Sequence, residues 1–420
     1  MAEMKDSKDL YIGDIPKDWD VYCVKHLFKI GRGRVISELE LVDGGKYPVY
    51  SSQTKNDGCM GYINSYDFDI EQLTWTTDGV YAGTVFIRHG KHNCTNVCGT
   101  LQPNIKNKNN LQYMKYALEH IAVCHRRKDI NGGKIMNNEM AKIKIPIPKI
   151  NVQIRIADFL DKKCAEIDSL HADIEKQIET LEEYKKSIIT EAVTKGLDPD
   201  VEMKDSGVEW IGKIPIKWNT TRIGYESWIR ARLGWKGLKA DEYVDEGNPF
   251  LSAFNIIDNQ INWKSLNYIT DERYEESPEI MLKIGDIVLV KDGAGIGKCA
   301  RIDDLPFKTA TTNGSLAVIS TKENLDYNYL YFYLQSAIFQ NFIIRMMNGM
   351  GVPHLSQEEL RKIVIPFPPK NEQRQIAVYL EQKRTEIDIS ISDKKQQLET
   401  LEQYKKSLIY EYVTGKKEVK

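Results

Sequence analysis

One long segment of this chain is written twice, and the duplication dictates the plan of the molecule. IPIPKINVQIRIADFLDKKCAEIDSL begins at Ile145 and IPFPPKNEQRQIAVYLEQKRTEIDIS at Ile365. Further on, QIETLEEYKKSIITEAVTKG from Gln177 is answered by QLETLEQYKKSLIYEYVTGK from Gln397. The spacing between copies stays constant, without a gap, and about half of the aligned positions are identical. A shorter repeat lies upstream: EMKDS at Glu3 returns at Glu202, and YIGDIPKDW at Tyr11 returns as WIGKIPIKW at Trp210. Internal repeats of this kind set an architecture before any local pattern does. The order is head, long helix, head, long helix, and duplication explains it.

The repeated segments read as helices. The proline runs IPIP and IPFPP end an extended stretch, because proline cannot continue a helix and biases the residue before it toward β. Asn151 and Asn371 follow where an N-cap is expected. Leu160, Ile167, Ile174, Leu181 and Ile188 then recur every seven residues, with Cys164, His171 and Ile178 at the companion position. In the second copy Leu380, Ile387, Leu401 and Leu408 hold the same seam, interrupted by Lys394, with Ile391 and Leu398 as companions. A heptad sustained this long predicts a coiled coil. At about 1.5 Å per residue each helix reaches roughly 65 Å. A single apolar stripe needs a partner. The expected partner is the other copy in the same chain, packed antiparallel, and the competing arrangement is a parallel dimer between chains. GLDPD (Gly196–Asp200) ends the first helix.

The heads carry strand and turn patterns: VYAGTVFIRHG and NVCGTLQPN in residues 1–144, IGDIVLVKDGAGIGKCARI and NGSLAVIS in residues 210–364. Each also has an amphipathic helix, near Leu111–Cys124 and Tyr329–Ile344, so each is mixed α+β. The window Tyr329–Met347 is interrupted by Gln335, Gln340, Asn341 and Arg345, and reads as one buried helix, not a membrane span. Between copies the helices are alike in sequence and the heads are mostly not, as expected of one scaffold presenting two different readers. The net charge of −2 rules out a molecule cationic all over, so nucleic-acid binding would need a local patch. The first head carries +3, whereas the first helix with its linker (151–205) carries −6, which suits protein docking better than DNA. Basic and amide side chains gather in head loops: Arg32 and Arg34; Ser52, Gln53, Lys55 and Asn56; Arg126, Arg127 and Lys128; Arg230, Arg232 and Lys236; and Asn313. Such residues suit phosphate contact through Lys and Arg, and base-edge contact through Gln, Asn and Arg. Solvated surface is the plainer alternative. Seven cysteines, an odd number, and the polar start MAEMKDSKDL point to a reducing cytoplasm, with no secretory signal.

No catalytic constellation emerges. GAGIGK (Gly293–Lys298) resembles a phosphate loop, but Asp292 and Cys299 stand where a second glycine and a hydroxyl are required. It is expected to be a strand-to-strand turn. His89, His92, Cys94 and Cys98 are zinc-ligand types without the spacing of a structural site. Asn248-Pro249-Phe250 lacks the second proline of an adenine-methyltransferase loop, and no Gly-rich cofactor strand precedes it. The acids near Pro199-Asp200 and Glu202-Met203-Lys204 are too close in sequence for a nuclease metal cradle. No Ser-His-Asp set is identifiable. Metal, cofactor and catalytic residues are therefore all expected to be none.

These features together resemble the specificity subunit of type I DNA restriction-modification enzymes. The resemblance rests on IPIPKINVQIRIADFL and IPFPPKNEQRQIAVYL opening the helices, and on ETLEEYKKSIITEAVTKGLDP and ETLEQYKKSLIYEYVTG closing them. WIGKIPIKW and HLSQEELRKIVIPFP bound the second head. It spans essentially the whole chain. One departure is NVQIR in the first copy, where the family pattern is of the type shown by Asn371-Glu372-Gln373. The resemblance implies an α+β protein, with two mixed α/β target recognition domains joined by two long helices in an antiparallel coiled coil. The expected bounds are 1–150 for the first recognition domain, 151–196 for the first helix and 197–209 for a linker. The second recognition domain then takes 210–370 and the second helix 371–414. The resemblance also implies double-stranded DNA with a bipartite target, one half per head, two modification subunits docked on the helices, and restriction subunits beyond them. Methyl transfer and cleavage would reside in those partners. Two other functions stay open at the level of residues: a stand-alone DNA-modifying enzyme, and a coiled-coil scaffold whose heads bind something other than DNA.

Overall fold

A computed structural model of the chain describes residues 3–104, 109–129, 132–232, 242–293, 295–347 and 354–419. They fall into two compact units, Met1–Glu175 with Lys395–Lys420, and Lys176–Lys394. Each unit holds one head, the start of one long helix and the end of the other.

The first head is built on strands β1 (Phe28–Arg32), β2 (Gln72–Thr76), β3 (Val85–Arg88) and β4 (Cys98–Pro103), with helix α1 (Leu111–Cys124) packed on them. The sheet is antiparallel in the order β3-β2-β4-β1. Long helix α2 (Ile150–Lys195) follows. The second head uses β5 (Ser227–Arg230), β6 (Ile287–Val290), β7 (Cys299–Arg301) and β8 (Leu316–Thr321) in the order β5-β8-β6-β7. In each head the first strand lies at one edge beside the last, and the middle two complete the sheet. Each head also has a smaller sheet with one parallel pair, Tyr50 beside Cys94 and Leu251 beside Thr312. The heads differ in sequence but share one framework.

The second head departs from the expected single helix. Helix α3 (Tyr327–Gln335) stops at Ser336, and α4 (Ala337–Met347) starts anew. The Ser336 backbone is extended, and its hydroxyl accepts from the Phe339 amide while donating to the Tyr333 carbonyl. A serine bonded in this way caps the next helix and lets the chain turn. Apolar periodicity continues across the break, so the sequence hides it.

Helix α2 runs unbroken for 46 residues, and its repeat, α5 (Lys370–Val413), for 44. They run antiparallel within each unit. In the first, Phe159 stacks near Tyr412 and Asp168 binds Lys405. In the second, Gln177 meets Lys394 and Lys185 meets Asp388. As one residue number rises, the facing number falls. Leu160, Ile167, Ile174, Leu380, Ile387 and Leu408 are buried, whereas Leu181, Ile188 and Leu401 are half-buried. Ile189 and Ile409, one residue further on, are buried instead. A straight helix drifts about 20° per heptad, so a seven-residue stripe walks off the contact line after a few turns.

The repeats meet in space as clasps. The proline strands Lys144–Ile147 and Val364–Phe367 pair antiparallel with Asp20–Cys23 and Asn219–Arg222, the strands that follow the two tryptophan repeats. Asn151 and Asn371 do not cap the long helices, which start one residue earlier, at Ile150 and Lys370. The buried side chains in those first turns are Gln153 and Gln373. Gln153 accepts from the Asn110 amide at 2.9 Å and donates to the Pro148 carbonyl at 2.8 Å. Gln373 accepts from the Asp326 amide at 2.8 Å and donates to the Pro368 carbonyl at 2.9 Å. Asn110 and Asp326 in turn cap α1 and α3. One turn along, the buried Tyr113 hydroxyl lies 2.9 Å from the Pro146 carbonyl and 3.1 Å from that of Val413. The Tyr329 hydroxyl lies 3.1 Å from both Pro366 and Val193 carbonyls. In each unit one glutamine and one tyrosine thus join the head helix, the proline strand and a long helix. Gln153→Ala or Gln373→Ala strands a buried amide and carbonyl, and each is expected to destabilise its unit by about 1–3 kcal/mol in urea unfolding. A loss confined to one of the two would show that the clasps are not equivalent.

No helix among the described residues is long and apolar enough to cross a membrane.

Candidate nucleic-acid interface

The first head opens a groove of about 710 Å³ lined by three segments together with Ile36, Glu38, Leu41 and Met60. Ser51–Gln53, at the end of a small-sheet strand, form one wall, Asp78–Tyr81 the lip and Thr95–Val97 the floor. Gln53 therefore belongs to the groove; its amide nitrogen donates to the Cys59 carbonyl. Lys55 and Asn56 sit exposed on the turn beyond, where Asn56 takes a φ of 50°.

A basic hairpin borders the lip. Arg127–Asp129 and Gly132–Lys134 pair with each other, and the second strand pairs with Asp78–Gly79. Arg126, Arg127 and Lys128 are exposed here, on a hairpin strand and the residue before it, not on a loop. Arg126 donates to the Val80 carbonyl at 2.9 Å, and Lys134 binds Asp78 at 3.0 Å. Burial pushes the Asp78 carboxyl up, but the Thr77 hydroxyl and Lys134 outweigh it, and the net shift is down. A groove of mixed polar and apolar lining beside a basic hairpin has the chemistry of a DNA contact, with cations for phosphates, amides and hydroxyls for base edges and apolar groups for thymine methyls.

The lip has a counterpart in the second head. Asp78-Gly79 and Gly83 correspond to Asp292-Gly293 and Gly297, the last two inside the segment that imitates a phosphate loop. In the first turn Ala82 N donates to Gly79 O, Gly83 N to Thr76 O and Thr84 N to Tyr81 O, at 2.9–3.1 Å. In the second, Ile296 N donates to Gly293 O, Gly297 N to Val290 O and Lys298 N to Gly295 O, over the same range. Gly79, Gly83, Gly293 and Gly297 all take φ between +83° and +94°, which side chains with a Cβ rarely adopt. His354 stands where Lys134 does: it bridges to Asp292 and holds its carboxylate. Burial raises the Asp292 carboxyl, Lys291 and His354 lower it, and the net shift is again down. The described residues of GAGIGK thus lie in a turn between β6 and β7. The signal D-G-x-x-x-G stood in both heads and went unread, because it lies outside the blocks whose spacing is constant.

Other residues singled out by type have structural duties. Arg32 donates to Asn137 at 3.0 Å. Arg34 pairs with Glu40 at 2.9 Å and Asp67 at 3.2 Å, and Arg127 with Glu139 at 3.3 Å. Arg230 is tied to Asp286, Ser320 and the Glu279 and Met281 carbonyls, so it braces the second head from within. Arg232 is enclosed, its Nε and one terminal nitrogen without a partner among the described residues. Asn313 folds its carbonyl oxygen back onto Ser315 in the turn before β8. Lys236 lies outside the described residues.

His92 is buried against Phe68 and bonded to Gln72 and the Gly90 carbonyl. Burial lowers its pKa, and it lowers that of His120 as well, with Lys416 adding to the effect there. The unfolded chain therefore takes up these protons first. Stability is full above about pH 6.5 and is lost as pH falls through the lower folded values. The urea midpoint of the first unit is expected to fall between about pH 7 and about pH 5. His92→Gln with His120→Gln should flatten that slope, and an unchanged slope would assign it elsewhere.

Comparison with known proteins decides what this scaffold is. The family model described as the type I restriction modification DNA specificity domain matches residues 16–180 and again 236–400. The chain belongs to this family. The MjaVIII specificity subunit of a type I restriction enzyme from Methanocaldococcus jannaschii is 26% identical, over 98% of this chain and 96% of the relative. A putative type I specificity subunit of Mycoplasma pneumoniae is 31% identical over 47% of this chain and 66% of its own length. Among solved structures, a chain of a type I R-M system studied for complex assembly and conformational transition is similar with a TM-score of 0.71. It is 13% identical and is covered over 99% of its length, against 96% of this chain. The HsdS subunit from Thermoanaerobacter tengcongensis gives a TM-score of 0.51 at 14% identity, over 96% of this chain and 98% of that one. These structural likenesses bear on the fold alone, and they agree with two mixed α/β heads and two long helices.

Proposed function

We propose that this specificity subunit reads a bipartite DNA target without catalysing a reaction itself, each head taking one half. The observation that carries the reading is the pair of equivalent frameworks, each with its own D-G-x-x-x-G turn, in a chain whose two long helices run antiparallel. The first head's groove mixes polar with apolar lining and lies beside the exposed Arg126, Arg127 and Lys128, as suits a reader of phosphate and base edge. The helices offer long polar faces, acidic along the first, as docking surfaces for two modification subunits, with restriction subunits beyond. The work of such a complex places it with the cell's DNA in the cytoplasm.

Purified chain incubated with duplex DNA and labelled methyl donor should bind the duplex in a salt-dependent manner and transfer no methyl groups. Adding the modification subunit should give transfer at one bipartite sequence. Transfer by the chain alone would make it a stand-alone modifying enzyme. Absence of any preferred duplex would leave a scaffold with other ligands.

A further inference from the structure

The two heads share a framework yet must read different bases, so the readers should be the residues that break the equivalence at matching places. Three of the segments that line the groove of the first head are the end of a small-sheet strand (Ser51–Gln53), the glycine turn (Asp78–Tyr81) and the turn before β4 (Thr95–Val97); Ile36, Glu38, Leu41 and Met60 complete the lining. The second head has all three. Ser252–Phe254 follow the strand Asn248–Leu251, Asp292-Gly293 opens the glycine turn, and Asn313–Ser315 precede β8. The correspondence extends to single bonds: Thr95 N donates to Tyr50 O and Asn313 N to Leu251 O, both at 2.8 Å.

Within this frame each head exposes a large apolar side chain, but from a different segment. In the first head it comes from the glycine turn, where Tyr81 is 56% exposed and its neighbour Val80 is 70% exposed. The matching position in the second head is Gly295. There the apolar group comes from the short helical turn Ala253–Asn255 after the strand, where Phe254 is 92% exposed. The position matching Phe254 in the first head is Gln53, whose amide is bonded down to Cys59. Aromatic and apolar groups left in water at equivalent places of the two frameworks suit contact with thymine methyl groups or a wedge between base steps.

We propose that Tyr81 and Phe254 are the specificity-determining apolar contacts of the first and second heads, presented to DNA from two different segments of one shared framework. This rests on the functional reading given above. The turn itself is a positioning device: its glycines and the Asp78–Lys134 or Asp292–His354 pair fix where the tip points, and the tip residue reads.

The test uses the chain assembled with its modification subunit on a duplex library randomised at the target, with methylated sequences mapped. Val80→Ala with Tyr81→Gly gives the first head the tip sequence of the second, which the same glycine turn already accommodates. Phe254→Ala trims an exposed side chain. Each variant is expected to reduce discrimination on the order of tenfold at base pairs of its own half-target, leaving the other half unchanged. Unfolding midpoints should match wild type, which separates lost reading from lost structure. Should wild type discriminate and both variants discriminate identically to it, the inference fails and the functional reading stands. Loss in both halves from either variant also overturns it. A wild-type complex with no sequence preference would remove the functional reading and this inference together.

Discussion

Replacing residues 1–144 with the corresponding head of another specificity subunit will change one half of the methylated sequence and leave the other half as it was. Preference for the original target should fall by about 10³-fold or more, the usual gap between specific and non-specific binding. The physical ground is that each head closes its own core. The first is sealed by Trp75, Leu101, Tyr113 and Ile121 with the start of α2 and the end of α5. The second is sealed by Trp218, Tyr329, Phe332 and Phe339 with the opposite ends of the same helices. A transplanted head needs only the clasp. It must bring a helix start that carries an Asn or Asp cap and a tyrosine three residues on, so that Gln153, Pro146 and Val413 find their partners. Genome-wide methylation mapping in cells carrying the chimaera reads the result. A change in both halves would mean that the heads do not read independently.

What was legible in the sequence follows from the same division. The two repeat spacings correspond to two strands that pair in each head, Asp20–Cys23 with Lys144–Ile147 and Asn219–Arg222 with Val364–Phe367. Ile145-Pro146 returns as Ile365-Pro366 in the proline strands, whereas their partners Asp20–Cys23 and Asn219–Arg222 share no residue, so backbone pairing and not side-chain identity joins the strands of each clasp. The heptads exposed the helices, since burial along one stripe leaves a period. The helix caps were misread because Asn151 looks like a cap by type, whereas the start is held by Gln153, which works through contacts distant in sequence. The break at Ser336 was invisible because apolar residues continue on both sides of it, from Tyr333 and Leu334 to Ile338, Phe339, Phe342 and Ile343. The cleft was the least legible part. Gln53, Tyr81 and Asn96 lie on three separate segments, and only the two sheets bring them together. Arg230 shows the converse error: by type it looks like a phosphate ligand in a loop, yet it ends strand β5 and is held by four internal partners.

Inserting seven residues between Glu175 and Lys176, and seven more between Lys394 and Lys395, will lengthen the unread spacer of the DNA target. A heptad in each helix keeps the seam in phase to within about 20°. It adds about 10 Å of rod, and B-DNA rises about 3.4 Å per base pair, so length alone asks for about three more base pairs. Twist opposes this. Three base pairs turn the far half of the site by about 100°, given 10–10.5 pairs per turn, while the helix pair turns by only about 20°. The two demands cannot both be met, so the spacer should grow by about one to three base pairs, with weaker binding than wild type. Inserting a heptad in one helix alone gives a different outcome. Seven residues then have no partners across the seam, and pairs such as Lys185–Asp388 or Asp168–Lys405 cannot form together with the clasps. That variant should lose cooperative unfolding before it changes its target. A double insertion that methylates the original spacing would show that helix length does not set the gap, and would move control of the spacer to the heads themselves.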